Sequence, residues 1–78
     1  MALAFAVMQL STRQYDLLER AIVDGSRITI MRRGSEYVVI PERLRVDGGR
    51  EIIVARHPST GHRLELVIDE IDYLEVIR

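Results

Sequence analysis

The chain contains no cysteine and no lysine among its 78 residues. Without cysteine there are no disulfides and no thiolate metal sites. Without lysine, all eleven cations are arginine, the residue better suited to planar recognition of phosphate or carboxylate. A coding bias in the source genome produces the same composition. Also missing is any apolar run near the roughly 20 residues that a membrane helix needs. The uncharged start, Met1 to Leu10, is shorter than that and lacks the positive n-region of a secretory signal. These absences point to a cytoplasmic protein with no membrane contact.

What is present bounds the architecture. Seventy-eight residues suffice for one domain, 1–78, with one modest core. At 47% apolar content such a core gains most from a partner subunit, so a homo-oligomer is expected. A net charge of −1 argues against a uniformly basic nucleic-acid binder.

The clearest local signal is a helix start. Ser11-Thr12-Arg13-Gln14 fits a capping box, the Ser11 hydroxyl taking the Gln14 amide while Gln14 reaches back. Leu10 and Tyr15 are spaced for a hydrophobic staple. Leu17, Leu18, Ala21 and Ile22 recur at helical spacing, and Gly25 suits the position after the last turn. The spacing predicts one helix over 11–24.

From Arg27 the period becomes two. Arg27–Arg33 alternates, Gly34-Ser35 turns the chain, and Glu36–Ile40 forms the next strand. Pro41 is expected to end it, because proline cannot donate to a ladder. Leu44–Val46 and Glu51–Ala55 flank Asp47-Gly48-Gly49 as a second hairpin. Pro58–Gly61 is a turn before Arg63–Ile68, and a last strand runs over Tyr73–Ile77 after Asp69–Asp72. A helix and about five short strands predict a mainly β, α+β domain. Its expected form is an N-terminal helix before a five-stranded antiparallel SH3-like or Sm-like barrel over 27–78. Closure of that barrel would remove its exposed edges. Residues 1–10 read either as an extra strand or arm on the same barrel, or as an arm reaching a neighbouring subunit.

Leu18-Glu-Arg-Ala-Ile22, Arg27-Ile-Thr-Ile30, Pro41-x-x-Leu44, the Gly49–Ala55 strand and Asp69-Glu-Ile71 follow one another in a recognisable order. In this the stretch from about Leu17 to Ile77 resembles the WYL domain, an Sm-like barrel of bacterial transcription regulators. The resemblance implies a regulatory module that senses a ligand or touches nucleic acid. The chain departs from the family where the Trp-Tyr-Leu signature belongs, which here reads Glu51-Ile52-Ile53. An aromatic is also replaced by Met31-Arg32, and the usual arginine has an approximate equivalent in Arg63. WYL domains usually accompany a helix-turn-helix, so the resemblance implies a stand-alone or truncated member. The chain is also similar to the Rof-like inhibitors of the Rho termination factor, with one helix before an Sm-like barrel and Ile68-Asp69-Glu70-Ile71 matching their last turn. That resemblance implies a protein-interaction module that covers a partner's nucleic-acid-binding surface.

Charge is uneven along the chain. Residues 27–56 carry seven arginines against four acids, while residues 64–78 carry five acids against Arg78 alone. Arg27, Arg32, Arg33, Arg56 and Arg63, with Tyr37 beside them, are the candidate site for nucleic acid or an anionic ligand. One aromatic is thin for a stacking platform, and a solvated polar face explains the same residues. Opposite charge on the two stretches also suits self-assembly of basic face on acidic face. His57 and His62 flank a turn and supply at most half of a tetrahedral metal site. Asp69, Glu70 and Asp72 lack the glycine and distal glutamate of a calcium loop. Ser59-Thr60 has no histidine–acid pair to activate it, and Gly48-Gly49 is too short to cradle a phosphate. No enzyme, metal or cofactor is expected.

Overall fold

The computed structural model describes residues 10–77. The arm expected over 1–10 therefore lies, apart from Leu10, outside the described residues. Helix α1 spans Thr12–Asp24. Five strands follow: β1 (Ile28–Arg32), β2 (Ser35–Asp47), β3 (Arg50–Arg56), β4 (Arg63–Val67) and β5 (Ile71–Val76), with a 3₁₀ turn over Ile68–Glu70 between the last two.

The helix begins and ends where its caps dictate. The Ser11 hydroxyl accepts from the Gln14 amide at 3.2 Å, satisfying one of the orphan donors of the first turn. Gly25 adopts φ 71°, a left-handed conformation that costs a glycine little. The amides of Gly25 and Ser26 then both donate to the Ala21 carbonyl. The expected reciprocal half of the capping box does not form. Instead Gln14 Nε2 donates across the molecule to the Leu74 carbonyl of β5 at 3.3 Å, tying the helix to the sheet. Leu18 and Ala21 are fully buried, with Tyr15 and Ile22 packed at the margin of the same core.

All five strands form one antiparallel sheet in the order β4-β3-β2-β1-β5. The chain is thus one helix before a five-stranded antiparallel sheet, mainly β. β4 and β5 lie at opposite edges of that order, and the Ile68–Glu70 turn crosses the seam between them. The barrel is open at this seam rather than closed.

Pro41 does not end its strand. β2 runs unbroken through it for 13 residues, pairing with β1 up to Val39 and with β3 from Ile40 onward. The register shifts between Pro41 and Arg43, a bulge that absorbs the missing N–H and lets the strand bend. Pro41 is buried in this corner.

Side chains alternate about the sheet. Ile28, Ile30, Val39, Ile53, Leu66 and Leu74 point inward with Leu18 and Leu10 to form the core. Full burial of such side chains stabilises by about 1.5–3 kcal/mol each. β3 is unusual in burying four consecutive residues, Ile52 to Ala55. Ile53 and Ala55 belong to the core, whereas Ile52 and Val54 lie on the outer face beneath long polar neighbours.

Candidate functional site

The register assigns each arginine to a face. Residues directly opposite in antiparallel strands share a face. On the outer side of β2-β3-β4, Arg45, Ile52 and Val67 form one row, and Arg43, Val54 and Glu65 the next. A third row holds Ile40, Arg56 and Arg63. Ile28 is fully buried against Val39, so Arg27, exposed just before β1, falls on the outward side by alternation, beyond the paired register. Arg56 and Arg63 thus share one row, with Arg43 and Arg45 in the rows beside it.

This face differs in how its cations are occupied. Arg45 lies 2.7 Å from Glu65 and 3.4 Å from Asp47, and Arg56 lies 3.1 Å from Glu42. Arg43, Arg63 and Arg27 have no carboxylate within the 4.0 Å of an ion pair among the described residues. Ile52 is 9% and Val54 1% exposed, so neither is open to solvent between the charged side chains of these rows. No tyrosine or phenylalanine occupies these three rows, so the face suits contact with phosphates better than stacking of bases.

The other expected residues lie elsewhere. Arg33 and Gly34 form a two-residue turn between Arg32 and Ser35, with Arg33 at φ 51° and Gly34 at φ 81°, as hairpin twist requires. Arg32 and Arg33 reach Glu70 at 3.9 and 3.7 Å, and Arg50 reaches Glu70 at 4.0 Å and Asp69 at 3.9 Å. Arg32 also sits 5.2 Å from the ring centroid of Tyr37, within cation–π range. These groups span the seam beside the 3₁₀ turn. The six expected residues therefore do not converge. Three share the arginine face, and Arg32, Arg33 and Tyr37 belong to the seam.

Arg43 and Arg45 are the site residues that reading the sequence missed. Their signal was the alternation Glu42-Arg43-Leu44-Arg45-Val46, which the presumed strand end at Pro41 obscured.

Near the seam, the Tyr15 phenol donates to the Glu51 carboxylate. That hydrogen bond, with partial burial, pushes the Tyr15 pKa up to about 12. His57 acts as a turn residue: its Nδ1 accepts from the amides of Ser59 and Thr60 at 3.2 and 3.4 Å. Its backbone amide donates to the His62 carbonyl. Among the described residues no group of three or more histidine or acidic side chains is placed to hold a metal ion. No helix is long and apolar enough to cross a membrane.

No family model matches the sequence, and no curated protein matches it either. The fold is similar to part of proteasome accessory factor B/C (PafBC) of Arthrobacter aurescens, with a TM-score of 0.71 and 18% identity. The likeness covers 87% of this chain and 12% of that one, so this chain corresponds to a small part of that protein's length.

Proposed function

We propose that this chain is a non-catalytic, WYL-like regulatory binding module that takes up an anionic ligand, foremost the backbone of a nucleic acid. The ligand lies on the outer face of β2-β3-β4. The observation that carries this reading is the outer face that holds Arg43, Arg56 and Arg63, with Arg27 on the same side just before β1; among the described residues Arg27, Arg43 and Arg63 have no carboxylate partner. Guanidinium groups held on a rigid sheet form bidentate contacts with phosphate at little ordering cost. The order of sequence features shared with WYL domains and the fold likeness to part of PafBC both support a regulatory module. Transcription regulation in a bacterial cytoplasm is the setting this implies. The missing Trp-Tyr-Leu signature fits a face that grips backbone and leaves bases unread.

Fluorescence anisotropy with a labelled single-stranded oligonucleotide tests this. Log affinity should fall linearly with log salt, at about −0.9 per phosphate neutralised for a duplex and somewhat less for a single strand. Arg43→Ala/Arg63→Ala should make that slope shallower by about 2. Arg32→Ala/Arg33→Ala should leave it unchanged. No binding at low salt, or a slope indifferent to Arg43 and Arg63, overturns the reading.

A further inference from the structure

The outer surface of the sheet has a second half, on β5-β1 and the first part of β2. There Glu36, Met31 and Tyr73 form one row, and Val38, Thr29 and Glu75 the next. Val38 and Tyr73 are 39% and 42% exposed, and Ile77 at the end of β5 is 42% exposed. The carboxylate of Glu75 beside Tyr73 holds that phenol above its ordinary pKa. This half is an apolar strip with a carboxylate at diagonally opposite corners. The arginine half is opposite in charge: Arg43, Arg45, Arg56 and Arg63 stand in rows with Val67 and the buried Ile52 and Val54, and Glu65 is the one acid among them.

We infer that the acidic half of one copy seats on the arginine half of a second copy, so that the chain associates with itself head to tail. Three observations favour a second copy over a foreign partner. The two halves are opposite in charge and lie side by side on the outer surface of one sheet. The net charge of −1 and pI near 6.1 leave almost no repulsion between copies. And a 78-residue domain gains most from burying further apolar surface. Two sheets packing face to face stand about 10 Å apart, close enough for Tyr73 and Val38 to meet the arginine stems while Glu36 and Glu75 meet guanidinium heads. Because the two patches differ, the contact is heterologous: it either closes into a ring or continues as an open chain. The inference adds to the anionic-ligand reading and has a consequence for it. Ligand and second copy compete for the same arginines, so a polyanion dissociates the assembly.

Sedimentation velocity on the full chain tests this at low salt. The wild type should sediment at a multiple of its 9.0 kDa mass and shift toward monomer in high salt or on adding heparin. Glu36→Arg/Glu75→Arg and Arg43→Glu/Arg63→Glu should each be monomeric alone, and mixing them should restore association. A monomeric wild type, or variants that sediment as the wild type does, overturns the inference. So does a mixture that fails to reassociate while both variants keep a folded circular-dichroism spectrum. Oligonucleotide binding by Glu36→Arg/Glu75→Arg separates the two claims. Retained binding with no wild-type assembly sinks the assembly alone, whereas assembly without binding sinks the ligand reading alone.

Discussion

On one side of Pro41 the outward residues of β2 are Glu36, Val38 and Ile40; on the other they are Arg43 and Arg45. The inward residues show no such break, since Val39, Pro41 and Leu44 all face the same core. Burial constrains the inner face along the whole strand, whereas nothing in the packing requires the outer face to change sign. The change is therefore not dictated by the core. The same contrast separates the two groups of arginines. Arg32, Arg33 and Arg50 are held by Glu70 across the seam, a structural use of charge. Among the described residues Arg27, Arg43 and Arg63 have no such partner, which leaves their guanidinium groups available for a ligand.

The largest expected effect comes from removing three arginines of the outer face at once. Arg43→Ala/Arg56→Ala/Arg63→Ala should make the salt slope of oligonucleotide binding shallower by about 3, with the thermal midpoint nearly unmoved. A large stability loss would erase the distinction between the two groups. Next comes Glu70→Gln, which takes the shared negative charge from three seam arginines. Exposed pairs of this kind contribute about 1 kcal/mol or less, so the melting temperature should fall by up to about 4–8 °C with binding unchanged. Weaker binding in this variant would show that the seam belongs to the site.

His57→Ala removes the acceptor of the Ser59 and Thr60 amides in the turn joining Arg56 to Arg63. One such bond contributes about 0.5–1.5 kcal/mol, so a melt should report a loss of that size, with a fewfold loss of affinity as the row loosens. The smallest effect concerns Tyr15. Its folded pKa of about 12 lies above the ordinary phenol value of 10.0. The phenol therefore contributes stability that is full below pH 10 and is lost as pH rises toward 12. Tyr15→Phe should flatten that alkaline decline in a pH series of urea melts, and an unchanged decline would assign it to other groups.

Much of this was readable from local chemistry. Ser11, Gln14 and Gly25 announce the helix through bonds made within a few residues. The alternation from Arg27 announces the strands, and Gly34 and Gly48-Gly49 their hairpins. What was not readable depends on contacts distant in the chain. Gln14 prefers the Leu74 carbonyl, 60 residues away, to the local cap bond. Pro41 is compatible with a strand once a bulge absorbs its missing donor, and the bend it marks comes from the whole sheet rolling up. Which arginines share a face follows from register between β2, β3 and β4, and no spacing along one chain contains it. Hence the sequence could group Arg27, Arg32, Arg33, Arg56 and Arg63 but could not show that Arg32 and Arg33 pair with Glu70, or that Arg43 and Arg45 share a face with Arg56 and Arg63.

The bond from Gln14 to Leu74 also has a consequence for solubility. Among the described residues, a sheet left open at its seam presents two unpaired edges, and β5 is one of them. Free carbonyls along such an edge template pairing with other chains, the first step toward aggregates. By occupying one of them with a side-chain amide and laying a helix alongside, the molecule blunts that edge without spending a sixth strand on it. Replacing Gln14 with a residue that cannot donate would show chiefly as loss of soluble protein on standing.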